Sequence, residues 1–296
     1  MNIKERERFL KIMCQCWSLS GRNPFQNINP LEYFESLQKP PLLNYIPYQT
    51  IEYLYTIMRD PYLSNKLKQK FQLQNDALAY YGFKPLASGT NRRAFYCEYD
   101  PTIILKIAID EVGMSDNAAE FKLQHILKPF CPKIYELGLN GVVALTERVE
   151  TMTEDEFVKY WGKCAFLVIY MLYFKKYGYM MEDVGAKFFK NFGYRLGLGL
   201  VILDFPYIYK VDPKKLICTH KDPETGEICG GTIDYDFDMG LSQIVCLKCG
   251  SRYLAKQLAQ ETPEEEKPHN KFDVEVPVIV VKGGEVVFDP YHTQNK

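Results

Sequence analysis

The stretch that decides the fold is residues 83–109, FKPLASGTNRRAFYCEYDPTIILKIAI. Phe83–Ala87 leads into a polar turn, Ser88-Gly89-Thr90-Asn91-Arg92, and Ala94–Tyr99 then alternates in character. Asp100-Pro101 supplies a second turn, and Thr102–Ile109 is an apolar run of the kind carried by a strand covered on both faces. Three consecutive strands joined by short turns predict an antiparallel sheet. One residue breaks the last run, Lys106. An ammonium in such a strand is costly to bury without an anionic partner, so the strand predicts one nearby.

Working outward, Asp116–Leu127 has the periodicity of a helix and carries Glu120. Ile134–Leu137 and Val142–Leu145 flank Asn140-Gly141, a hairpin signature. Upstream, residues 1–82 are helical and aromatic in character. Ile3–Leu19, Leu31–Leu37, Tyr48–Met58 and Pro61–Tyr81 are the candidate helices, and prolines 24, 30, 40 and 41 break the chain between the first and third. No catalytic pattern occurs there, so the region is expected to be a packing layer or a partner surface. Downstream, Glu156–Lys175 predicts one or two apolar helices around Trp161, Leu167 and Tyr170. The longest apolar run, Cys164–Tyr173, is too short to span a bilayer.

A second organising stretch is Cys218–Tyr253, CTHKDPETGEICGGTIDYDFDMGLSQIVCLKCGSRY. Cys246-x-x-Cys249 lets one tight turn present two sulfurs to one ion, and the following Gly250 permits positive φ. Cys218 and Cys229 form a wider pair, with Gly230 and Gly231 after it. Four thiolates in two pairs make the closed tetrahedral set of a structural zinc, although the same ligands also suit a rubredoxin-like iron. His220 is left out of the ligand set. Gly231–Phe237 and Gln243–Val245 alternate as short strands, and the segment resembles a zinc ribbon. The other cysteines, 14, 16, 97, 131 and 164, are scattered among apolar neighbours and predict buried thiols. With no signal-peptide pattern at the N-terminus, a reducing compartment is expected.

The 83–206 region as a whole resembles the protein-kinase-like fold. The order is hairpin with Ser88-Gly89, strand with Lys106, helix with Glu120, a further hairpin, and a polar connector at Glu147–Glu150. In that family a glycine-containing hairpin covers the ATP phosphates, and a strand lysine binds them while paired to a helix glutamate. The resemblance implies that Ser88, Gly89, Lys106 and Glu120 bind nucleotide. It further implies that Asn191, in Asn191-Phe192-Gly193, and Asp204, after Val201-Ile202-Leu203, hold magnesium. Ala87 and Arg92 stand where the first and third glycines of the family's hairpin would be, and Pro206 replaces the glycine after Asp204-Phe205. The position five before Asn191 is Ala186, so the nearest candidate for the catalytic base is Asp183. The form Ser-Gly-Thr-Asn-Arg is similar to that of small kinase-like proteins of bacteriophages, which implies the cytoplasm of a host cell or a virion.

These readings predict an α+β chain. Its parts are a helical region at 1–82, a kinase-like antiparallel lobe at 83–150, a reduced helical lobe at 151–215, the ribbon at 216–255, and an acidic linker with a C-terminal β-hairpin at 256–296. That last hairpin is signalled by Lys282-Gly283-Gly284 between Val274–Val281 and Glu285–Phe288. Three functions follow: a degenerate kinase-like, zinc-stabilised scaffold acting through a protein partner; an active ATP- and magnesium-dependent phosphotransferase; or a zinc protein that binds nucleic acid. The altered glycines and the displaced base favour the first. Charge argues against the third: Val211–Leu254 carries five basic and seven acidic residues, and the whole chain has formal net charge −1.

Overall fold

The computed structural model describes residues 30–128, 130–151, 153–156, 178–182, 190–195, 199–205, 207–236, 243–260, 280–282 and 285–287. The helices expected at 3–19 and across 157–175, the candidate base Asp183, and Cys14, Cys16 and Cys164 lie outside them. The chain divides into two compact units, Met1–Gln260 and Glu261–Lys296.

The chain is α+β with antiparallel sheets and a helical N-terminal region. Helices α1 (Pro30–Ser36), α2 (Tyr48–Arg59) and α3 (Leu67–Ala79) precede a five-stranded sheet. Its strands are β1 (Phe83–Ser88), β2 (Arg92–Cys97), β3 (Ile103–Ala108), β4 (Ile134–Gly138) and β5 (Val143–Glu147), in the order β1-β2-β3-β5-β4. Every pairing in it is antiparallel. Helix α4 (Glu111–Leu127) sits between β3 and β4 in sequence. It starts five residues before the expected Asp116, because the Asp110 carboxylate caps it by accepting from Gly113 N at 2.8 Å.

Period-two alternation sorts β2 and β3 onto two faces. Phe95 and Cys97 of β2, with Ile103, Leu105 and Ile107 of β3, pack in one apolar core with Ile51 and Leu54 of α2 and Leu78 of α3. Arg93 shares that face; its guanidinium stacks over Phe71 and Phe95, and it donates to Phe71 O, Gln74 Oε1 and Asn75 Oδ1. The opposite face of β2 and β3 carries Arg92 and Lys106, the latter registered between Ala94 and Ala144.

Beyond β5, short strands β6 (Glu150–Thr151), β8 (Phe192–Arg195) and β9 (Gly199–Ile202) form a second sheet, while β7 (Tyr179–Met181) pairs with β10 (Ile208–Lys210). One buried ion pair ties β8 to the first sheet. Arg195 grips Glu147 through both carboxylate oxygens, Nε to Oε1 at 2.7 Å and Nη2 to Oε2 at 2.5 Å, and also donates to Cys131 O at 2.7 Å. Glu147 in turn accepts from Lys133 N at 2.9 Å, so the buried carboxylate is fully engaged.

The ribbon follows as β11 (Ile233–Asp236), β12 (Gln243–Cys246) and β13 (Arg252–Tyr253), a three-stranded antiparallel sheet. It is packed into the unit. Ile233, Tyr235 and Ile244 share a core with Met180, Met181, Phe192, Ile202, Phe205 and Ile208. Buried Tyr235 accepts from Met181 N at 2.8 Å and donates to Met181 O at 3.2 Å. The unit continues past the ribbon through α5 (Ala255–Leu258) to Gln260, whose N–H donates to Lys210 O. Val280–Lys282 and Glu285–Val287 pair as a β-hairpin within the second unit.

Candidate functional site

Among the described residues, two clusters of functional side chains form, one in the ribbon and one between the first sheet and α4.

In the ribbon the chain between Cys218 and Cys229 folds back on itself. Ile217 bridges Thr232, Lys221 bridges Ile228, and the Asp222 carboxylate accepts from Glu224 N and Thr225 N to close the turn. This return brings Cys218 and Cys229 to the end of β12, where Cys246 and Cys249 sit on one tight turn closed by Gly250 N to Cys246 O at 2.8 Å. Gly230 and Gly250 both take positive φ, 63° and 74°. All four sulfurs lie within 4.8 Å of one another, with Cys218–Cys249 at 3.7 Å and Cys229–Cys246 at 3.6 Å. A tetrahedral ion with metal–sulfur bonds of about 2.3 Å has sulfur–sulfur edges of about 3.8 Å, so this donor set fits one. A disulfide needs about 2.05 Å, and the four cysteines are free thiols. Gly231 is part of the cradle, since a Cβ there would stand 2.7 Å from Cys246 Sγ and 2.6 Å from Lys248 Cβ.

Donors surround the sulfurs. Lys248 N lies 3.4 Å from Cys246 Sγ, and Tyr253 donates its hydroxyl to Cys218 Sγ at 3.0 Å. Hydrogen bonding with Ser251, side chain then backbone, draws the Cys249 thiol down to about 6. At Cys229 a backbone hydrogen bond from Gly231 pulls the same way, but desolvation and the neighbouring thiols outweigh it and push the group up to about 11. Four thiols this close do not all ionise on their own account; a cation among them removes the conflict. The four cysteines can therefore hold one metal ion.

The second cluster begins with α4. Its residues at 113, 116, 117 and 120 repeat at three- and four-residue intervals and are all buried, yet three of them are polar: Asp116, Asn117 and Glu120. The face that helix α4 turns inward is thus prepared for the charges that β2 and β3 present. Lys106 Nζ donates to Glu120 Oε2 at 2.6 Å and to Leu203 O at 3.1 Å. Arg92 Nη2 donates to Glu120 Oε1 at 3.0 Å and also bonds Asp204 Oδ1, while its Nη1 reaches Asn117 Oδ1 at 3.3 Å. Phe205 N completes the shell on Glu120 Oε1 at 3.2 Å. Glu120 is 0% exposed, whereas the Asp204 side chain is 47% exposed, so the cluster runs from the interior to solvent.

Electrostatics follow this gradient. Burial alone would raise the Glu120 pKa, but the charges of Lys106 and Arg92 outweigh it and hold the carboxyl down to about 2. Asp204 moves the other way. Desolvation and the Glu120 charge raise its pKa against the pull of Arg92 and Lys106. Arg92 is held firmly protonated: desolvation opposes its charge, but Glu120, Asp204 and Asp116 prevail.

Of the residues singled out from sequence, Lys106, Glu120 and Asp204 come together, and Asn191 is joined to the same place through Leu203 N to Asn191 O at 2.7 Å. Ser88 and Gly89 are exposed at the β1–β2 turn, where Gly89 N donates to Arg92 O at 2.8 Å. Sequence reasoning noted Arg92 only as a departure from a glycine pattern and missed its contacts. The available signal was its place in β2, two residues before Ala94 and so on the Lys106 face. Asp116 and Asn117 were also missed, because a helix with polar residues on its inner stripe has no distinct amphipathic pattern.

The chain matches no family model and no curated protein.

Proposed function

We propose that the chain is a zinc-stabilised, kinase-like scaffold that works through contacts with a protein partner and does not transfer phosphoryl groups. The observation that carries this reading is Arg92. In the kinase-like interpretation Asp204 is the magnesium ligand, but here an arginine of the same chain occupies it while also binding Glu120. Magnesium prefers carboxylate oxygens with phosphates and water, and a guanidinium already on that carboxylate opposes its entry. Lys106, which would meet the nucleotide phosphates, donates to Glu120 and Leu203 O. Zinc is the ion that best suits the ribbon: four thiolates, a closed set and a role in holding short strands together.

Binding of ATP by titration calorimetry, with and without magnesium, tests the reading, along with transfer of radiolabelled phosphate to generic acceptors. The expected result is no transfer, with nucleotide bound only weakly, in the millimolar range. One observation favours the second reading, an active phosphotransferase: the Lys106–Glu120 pair is closed at 2.6 Å, and Arg92 joins Glu120 to Asp204. Phosphate transfer lost in Asp204→Asn would establish it, with Asn191 as second magnesium ligand and Asp183 as candidate base.

A further inference from the structure

We infer that the Arg92–Asp204 contact is an autoinhibitory latch, by which the β1–β2 turn withholds the Asp204 carboxylate from a magnesium-bound nucleotide. The inference rests on the kinase-like reading of this cleft, and it concerns how the cleft is kept closed.

The geometry is that of a turn folded back and pinned. A turn that covers phosphates has to keep its backbone free to meet them. Here residues 89–92 are held at several points. Gly89 N closes the turn onto Arg92 O at 2.8 Å, and Ile109 N holds Asn91 O at 2.8 Å. Asn91 Nδ2 donates to Asp116 Oδ2 at 3.2 Å. The Asn91 carbonyl also lies so close to helix α4 that a Cβ at Gly113 would be 2.1 Å from its oxygen. The pinned turn starts β2, and the first residue of that strand, Arg92, projects across to Asp204 in the segment after β9.

The latch has a fixed end and a releasable end. The Glu120 end is fully buried and shared with Lys106 and Phe205 N, so Arg92 remains anchored there. The Asp204 end is half exposed. An ion pair facing solvent gains little over its separated partners, whereas a buried pair is costly to break. Competition for Asp204 by a divalent cation therefore opens the outer contact first, while Arg92 keeps its hold on Glu120. A contact closed about 90% of the time would weaken apparent nucleotide affinity by about tenfold.

The test compares binding of a fluorescent ATP analogue, in magnesium, to the full-length wild type and to Arg92→Ala, with Arg92→Gln as the variant that keeps donors for Glu120 should the alanine fail to fold. Circular dichroism and metal content of the ribbon check folding. The latch predicts an affinity gain of up to about tenfold in the Arg92 variants over wild type, magnesium-dependent and abolished by adding Asp204→Asn. Equal affinity in wild type and variants overturns it, as does a gain that survives Asp204→Asn. Phosphate transfer by the wild type is a separate outcome. It overturns the scaffold reading, and the latch still stands or falls on the ratio between wild type and variant.

Discussion

The two clusters solve opposite problems. The ribbon gathers four groups of one kind, each a potential anion, with the neighbouring Lys248 ammonium bonded to the Cys229 carbonyl. The cleft gathers Arg92 and Lys106 with Asp116, Glu120 and Asp204, two cations against three anions, a formal sum of −1. The first arrangement can take its counter-charge from one ion supplied from outside. The second carries its counter-ions in its strands. On the zinc reading proposed above, two clusters of ionisable side chains in one compact unit differ in whether folding depends on solution composition, and the difference lies in the mix of side chains.

Withdrawing the ion should have the largest effect. Structural zinc contributes on the order of 10 kcal/mol of apparent binding free energy at neutral pH, and for so small a sheet that is folding free energy. Chelation, or Cys246→Ser, is expected to unfold β11–β13 and to loosen the core shared with Met180 and Phe205. Elemental analysis should find one metal per chain, and amide exchange should show protection of Ile244 and Val245 lost with it. A chain that contains no metal and keeps that protection would erase the contrast.

Next is the cleft, whose Lys106–Glu120 and Arg92–Glu120 pairs chelation should leave in place even where it loosens Phe205. Glu120→Ala removes the buried carboxylate that two largely buried cations share, at a cost of about 3–5 kcal/mol in a urea melt. The acid response of the same carboxylate sharpens the point. Its folded pKa, at about 2, lies below the roughly 4.3 of an unfolded glutamate, so its stabilisation is complete above that range and disappears as pH falls through the folded value. Asp204, with a raised pKa, works in the opposite sense, favouring the fold at low pH and less so as pH rises through the carboxylate range. Wild type should therefore lose urea resistance between about pH 4.5 and 2 more steeply than Glu120→Gln. Parallel curves would mean that Glu120 titrates alike in the folded and unfolded chains.

The smallest expected effect is Gly231→Ala, a strained contact of about 1–3 kcal/mol with Cys246 Sγ and Lys248. It should appear as faster metal loss to a chromogenic chelator with the cleft unperturbed. Unchanged release would show that the sulfur cradle has slack.

The cysteines were legible because metal ligands are named by residue type and spacing, and the chain has to return them to one point. Lys106 and Glu120 were legible because a lone charge in an apolar strand demands a partner. The antiparallel pairing of β1 with β2, β2 with β3 and β4 with β5 was legible in short turns, whereas the pairing of β3 with β5 was not. What sequence did not disclose was set by distant packing. The Glu147–Arg195 pair joins residues 48 apart, with Glu147 sitting in what reads as a polar connector. The ribbon's place in the core depends on Tyr235 meeting the Met181 backbone, which no local pattern announces. Arg92 looked like the loss of a glycine, when it is a gain of four partners, Asp116, Asn117, Glu120 and Asp204.

Arg92 and Arg93 also have a consequence for how β2 finds its place. Neighbouring residues in a strand face opposite ways, so a slip of one position turns every side chain over. In the observed alignment one guanidinium meets carboxylates and the other lies between Phe71 and Phe95. Shifted one way, Ala94 would take the aromatic slot; shifted the other, Asn91 would take the acidic one. The doubled arginine therefore acts as a two-toothed key, and only one threading of β2 satisfies both teeth.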